Sequence, residues 1–290
     1  MGFPYIRLMR HRRLARWAVR AVDLDRRLSW RLGRAVYMLA RRDVANQPAR
    51  NGEYLLQREM LRIARRRHEA AVFFDVGANV GEWTRTLMGR VESSDELTVH
   101  CFEPFPGTFE TLSANLEAQV SRGRVVCRSM ALSSEDGEAR MTGDTDIGTS
   151  ALTAMDDDDA VPVVKRRVDS YCAEQRIDRV HMIKVDTEGH DYDVLCGTAG
   201  LLERRAVGLV QFEYNHRWVY TRHFLRDVFL LAKDIDYGLG KVTPRGVELY
   251  ASWHPELERF FEGNYALIRR DLVDELPTWR ARADGSNTFA

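Results

Sequence analysis

Cysteine, lysine and long apolar runs are all scarce in this chain, and each scarcity excludes something. Four cysteines, Cys101, Cys127, Cys172 and Cys196, occur in 290 residues, and none stands in a C-x-x-C pair. Zinc-ribbon and dithiol redox chemistry therefore lack their ligands, and no metal site is expected. Cys101 and Cys127 fall in stretches expected as buried strands, where Cys behaves as a small hydrophobe. A reduced, cytoplasmic setting is the simplest expectation. No run of roughly 18 apolar residues exists, so no membrane span is expected. Arg16 and Arg20 interrupt the N-terminal apolar pattern, which argues against a signal peptide. Only four lysines occur, so the arginine excess is partly a habit of the whole composition.

What is present is an apolar fraction of 44%, enough for a real core, and a charge balance that is zero overall but uneven. Residues 1–71 hold 18 Arg, no Lys and six acids, a net +12, so the remainder carries −12. That asymmetry suggests an acidic body, residues 51–290, with a basic helical extension over residues 1–50. In the extension, Leu14, Trp17, Ala18, Ala21, Val22 and Leu24 recur at near-helical spacing among arginines, and Trp30 to Ala40 suggests a second amphipathic segment. Two readings stay open for it: a helical arm packed on the body or on a second subunit, and a membrane-surface or partner-binding helix.

The chain is organised around VFFDVGANVGEWTRTL, residues 72–87. Ala70 to Phe74 read as a strand buried on both faces of a parallel sheet. The turn Gly77-Ala-Asn-Val-Gly81 follows, then a helical stretch. Strand, glycine turn and helix together present backbone N–H groups to a ligand. A dinucleotide fingerprint needs G-x-G-x-x-G. Here an acid, Asp75, precedes the first glycine and the middle glycine is missing. An acid would repel a pyrophosphate but suits an ammonium group, and the turn resembles the glycine motif of S-adenosylmethionine-dependent methyltransferases.

Beyond the turn, strands are expected at 97–102, 124–132, 180–185 and 208–212, with helices between them and late strands at 237–242, 247–251 and 265–269. Val163 to Val168 reads as an edge strand. Residues 143–161 read as a polar, acidic loop whose run Asp156 to Asp159 is a solvated tip. The βαβα alternation argues a doubly wound, mostly parallel α/β sheet. Ligands of such sheets bind outside the carboxyl ends of the strands. Those ends carry Asp75 with its glycines, Glu103, Asp186 to His190, and Glu213 to His216.

The segments DVGANVGEWT (75–84), FEPFPGTFETLSANL (102–116), ALSSEDGEA (131–139), GTSAL (148–152), VDSY (168–171), IKVDTEGHDYDVLCG (183–197) and FEYN (212–215) resemble the FkbM family of S-adenosylmethionine-dependent methyltransferases. The resemblance covers roughly residues 72–216 and implies a Rossmann-like class I fold with S-adenosyl-L-methionine as cofactor. It also implies that Asp75, Gly77, Asn79 and Gly81 line the methionine part, that Glu103, followed by Pro104, holds the ribose, and that Ser129, Met130 and Ala131 lie near adenine. The implied chemistry is O-methylation of a small-molecule or glycan hydroxyl. Asp186, His190 and His216 are the candidate bases by position. The family carries a small residue where His190 stands, so no role for it is inherited.

The alternatives are a non-catalytic protein on the same fold, and methylation of nitrogen or of RNA through the basic arm. DNA is not an expected partner. There is no Pro-Pro pair for an adenine amino-methyltransferase motif and no Pro-Cys for a cytosine C5 nucleophile.

Overall fold

The structure is a computed structural model and describes residues 26–43, 47–144, 149–153 and 160–282. Its centre is a nine-stranded sheet. The parallel half comprises β1 (Ala71–Val76), β2 (Leu97–Phe102), β3 (Val125–Arg128), β8 (Val180–Val185) and β9 (Val207–Tyr214). Strand β12 (Gly263–Arg269) runs antiparallel to β9, β10 (Tyr237–Thr243) antiparallel to β12, and β11 (Gly246–Tyr250) antiparallel to β10. The edge strand β13 (Thr278–Ala281) is parallel to β11. The spatial order is β13-β11-β10-β12-β9-β8-β1-β2-β3.

The sheet is covered on both faces because its strands are apolar at successive positions, and the strand period of two sends neighbours opposite ways. Phe73, Val99 and Met182 pack in one cluster with Leu56 and Met60, Leu87, and Leu112 and Leu116. These come from helices α3 (Glu53–Arg67), α4 (Glu82–Met88) and α5 (Pro106–Ser121), which follow the exposed helix α1 (Arg26–Ala40) and the single turn α2 (Pro48–Asn51). Phe74, Phe102, Ile183 and Val210 pack in the second cluster with Tyr171, Leu195, Leu202, Trp218 and Val228. Those belong to α6 (Val168–Gln175), α7 (Asp191–Gly197), α8 (Ala199–Glu203), α9 (Trp218–Thr221) and α10 (Leu225–Leu231). The doubly wound α/β architecture expected from the sequence is therefore present.

Several elements differ from that expectation. The third strand stops at Arg128, and Ala131–Leu132 forms a separate strand, β4, which pairs with β7 (Val161–Arg166). The stretch read as a loop from 143 contains the end of β5 (Gly137–Asp144) and all of β6 (Thr149–Thr153), which pair antiparallel. These four strands make a second sheet in the order β4-β7-β5-β6. Asp156 to Asp159 lie outside the described residues. Between β11 and β12 the chain forms a 3-10 turn, Pro255–Leu257. Strand β13 is not among the expected strands, because TWRA is only four residues long.

No residue of α1 is buried. The chain just after it is anchored, since the buried Asp43 carboxylate pairs with Lys241 and, at 2.7 Å, with Arg259. No helix among the described residues is long and apolar enough to cross a membrane.

Candidate functional site

Strand β1 is followed by a crossover to β2 on one side, while β8 lies on its other side, so the direction of winding reverses between them. A cavity of about 230 Å³ opens at the carboxyl ends of these strands, where open α/β sheets bind ligands.

The wall beside β1 and β2 is made largely of backbone. Gly77 has φ +73°, and a Cβ there would lie 1.9 Å from the Asp186 carbonyl oxygen, so only glycine lets the turn approach the end of β8. Gly81, at φ +83°, lies against Leu112 and Leu116 and brings α5 close to the turn. The Glu103 carboxylate spans the turn and the next loop. One oxygen accepts the Asn79 N–H and the other the Phe105 N–H, both at 3.0 Å. Burial raises the Glu103 pKa and the two amides pull it back. Each oxygen retains a lone pair for a ligand.

The wall beside β8 is made of side chains. Lys184 is buried with its ammonium 3.2 Å from Asp186 and 3.6 Å from Asp75. Asp75 and Lys184 are register partners on adjacent parallel strands. Burial lowers the lysine pKa, but Asp186, Asp75 and Glu53 outweigh that, so it stays firmly charged. Glu53, from the start of α3, is pushed up to about 7 by burial, against the pull of Lys184.

His190 sits on a chain of contacts. Its Nδ1 is 3.3 Å from Asp193, its Nε2 is 3.0 Å from the Ser133 hydroxyl, and Ser134 donates to Asp193 at 2.8 Å. Asp193 can only accept, so neutral His190 carries its proton on Nδ1 and presents Nε2 as the acceptor. Burial lowers its pKa, against the pull of Asp193.

Of the residues expected to hold a cofactor, Gly77, Asn79, Glu103, Pro104, Met130 and Ala131 line the cavity. Asp75 does not. It lies one residue inside β1, is wholly buried, and accepts from Thr84 at 2.7 Å. It holds Lys184 rather than facing the cavity. Gly81 shapes the turn from behind, and Ser129 is exposed outside the lining because the strand ends before it. Among the candidate bases, Asp186 and His190 line the cavity, whereas His216 is exposed beyond β9 and does not.

Glu53, Tyr54, Trp83 and Lys184 also line the cavity; Trp83 and Lys184 lie within the motif segments, which do not single them out, and Glu53 and Tyr54 lie outside them. Lys184 carries a signal of another kind, as the one lysine in a strand whose only other polar residue is His181. Glu53 carries none, because only the fold brings α3 to the end of β8. Pro48, inside the segment assigned to the extension, also lines it. The Trp83 indole N–H is buried with no hydrogen-bond partner among the described residues. The described residues contain no group of three or more His, Cys, Asp or Glu able to hold a metal.

Behind the β8 wall the carboxylates crowd. Asp191 is buried, accepts from Thr187, Gly189 N–H and Glu213 N–H, and is raised to about 7 by burial. Glu213 is pushed up to about 10 by burial and by Asp186 and Asp191. Glu188 pairs with Arg217.

Residues 75–238 match the family model of the methyltransferase FkbM domain. The chain is 30% identical over 144 residues to Methyltransferase 1 of Beauveria bassiana, a match covering 42% of this chain and 56% of that protein. It is 27% identical over 135 residues to the hexuronic acid methyltransferase AglP of Haloferax volcanii, covering 47% and 53%. It thus spans about half the length of these curated relatives. The crystal structure of methyltransferase FkbM from Methylobacillus flagellatus superposes with a TM-score of 0.47 at 16% identity, over 68% of this chain and 43% of that one.

Proposed function

The chain belongs to the methyltransferase FkbM domain family, and on that premise we propose that it transfers a methyl group from S-adenosyl-L-methionine to a hydroxyl of a sugar or other small molecule. The observation that carries this reading is the cavity at the switch point, with a glycine turn on one side and Glu103 free to accept from a ribose. Among the described residues, Glu53, Glu82, Glu103, Asp186 and Glu188 line it against one cation, Lys184, a balance that suits a positively charged ligand. The orphaned Trp83 N–H offers a donor to a ligand oxygen.

S-adenosylmethionine supplies an electrophilic methyl carbon on a sulfonium. The protein's part is to align the acceptor and remove its proton. His190 is suited to removing the proton, because it lines the cavity, is uncharged at neutral pH, and has its tautomer fixed by Asp193. To act, Nε2 takes the acceptor proton as the Ser133 hydroxyl turns away, and Asp193 balances the charge formed. Asp186 is the other candidate, already engaged with Lys184. A sugar acceptor is supported by the name of the archaeal relative, a hexuronic acid methyltransferase.

The test is a screen of sugars and glycans that measures demethylated cofactor, followed by mass spectrometry of the product. His190→Asn is expected to lower turnover by about 10²–10⁴, and the acid limb of the wild-type rate should lie below the ordinary histidine pKa near 6.5. Unchanged turnover in both His190→Asn and Asp186→Asn would remove the base, and methylation on nitrogen or carbon would remove the O-methyl assignment.

A further inference from the structure

Helix α1 contacts the body through one side. The Tyr37 hydroxyl donates to Glu256 at 3.4 Å, the Arg259 guanidinium lies 5.7 Å from the Tyr37 ring centroid, and the Arg34 guanidinium lies 5.2 Å from that of Phe261. Leu32, Val36 and Leu39 fall within about 60° of one another around the axis and roughly 100–160° away from Tyr37 and Arg34. They are 63%, 57% and 77% exposed. The helix is therefore inverted relative to a packed surface helix: its aliphatic face looks away from the protein. Arg26 and Arg31 flank that face on opposite sides. Residues 26–42 contain six Arg and no acid, and residues 1–42 contain twelve Arg and two acids.

We propose that this helix docks the protein on an anionic membrane surface, lying in the plane of the headgroups with Leu32, Val36 and Leu39 inserted. Charge selects the occupant. A second copy would bring six arginines against six with no acid in either segment, whereas anionic headgroups complement them and let the flanking arginine stems snorkel along the leucines. Leu28, 63% exposed, falls on the same aliphatic face and lengthens it by a turn. The ion pairs of Asp43 with Lys241 and Arg259 tie the docked helix to the sheet just past its last turn. The proposal does not depend on which acceptor is methylated.

The experiment is flotation of the full chain with phosphatidylcholine vesicles, with and without phosphatidylglycerol, at low and high salt. The comparison is with the double variant Leu32→Glu, Leu39→Glu. Wild type should float with anionic vesicles only, and salt should weaken it severalfold. The double variant should partition at least about tenfold more weakly while keeping the wild-type melting temperature, because both side chains are exposed. Absence of anionic-vesicle binding by wild type, or equal binding by the variant, would overturn the proposal. So would a wild-type dimer in light scattering that the same two substitutions dissolve without any vesicle binding.

Discussion

The two walls of the cavity are built from different material. Beside β1 and β2 the ligand surface is backbone shaped by glycine, with one carboxylate fixed by two backbone amides. Beside β8 it is side chains, each held by another side chain: Lys184 by Asp75, His190 by Ser133, Glu188 by Arg217. The first wall is neutral in its supports and rigid by geometry. The second crowds charges into a poorly solvated space. Glu53 in it, and Asp191 and Glu213 behind it, are raised toward or past neutrality. A backbone wall suits a cofactor bound in one pose, and a charged wall can be retuned for different acceptors.

The largest way to break this contrast is to remove the cation that joins the walls. Lys184→Met leaves Asp75 wholly buried beside Asp186 without a counter-charge. We expect a loss of about 3–5 kcal/mol in unfolding free energy at neutral pH, read from denaturant titration. Burial already raises the Asp75 pKa, and losing Lys184 raises it further. A carboxyl raised in the folded state contributes stability below its unfolded pKa and loses it as pH rises, so the deficit of the variant should shrink on acidification. A pH-independent deficit would show that the lysine acts through packing alone.

A smaller effect is expected behind the charged wall. Glu213, pushed up to about 10, binds a proton more tightly folded than unfolded, so its contribution fades as pH rises from about 4.5. Glu213→Gln removes that penalty and should be stabilising at pH 8 by roughly 1–3 kcal/mol, with no gain at pH 4. Thermal melts at the two pH values read the difference. A variant less stable than wild type at pH 8 would show that the carboxylate is paired well enough to offset its burial.

The smallest effect sharpens the contrast inside the cavity. Glu53 gains its negative charge near pH 7, so affinity for the cationic sulfonium cofactor should rise severalfold between pH 6 and pH 8, and Glu53→Gln should flatten that slope. The same slope in both proteins would place the titrating group elsewhere.

The same division governs how much of the molecule is legible in its sequence. The glycine turn, Glu103 and the β8 motif are local patterns, and the doubly wound half of the sheet follows from apolar runs alternating with helices. All can be read within a few residues. Asp75 is legible as an acid but not as a support. Its role depends on its wholly buried place one residue inside β1 and on parallel register with Lys184. Glu53 and Pro48 belong to the site only because α3 packs over the end of β8. The second sheet is hidden because β6, Thr149–Thr153, lies in a stretch whose composition reads as loop. Its pairing with β5 is supplied by tertiary context.

The central claim is that the cavity at the ends of β1, β2 and β8 binds S-adenosylmethionine through Glu103. Calorimetric titration of the full chain with S-adenosylmethionine, for wild type and Glu103→Ala at equal pH and salt, addresses it directly. We expect wild type to bind one equivalent and the variant to bind more weakly by about 1.5–3 kcal/mol, the usual worth of hydrogen bonds to a charged group. Equal affinity in the two proteins, or wild-type preference for a nicotinamide dinucleotide, would contradict it.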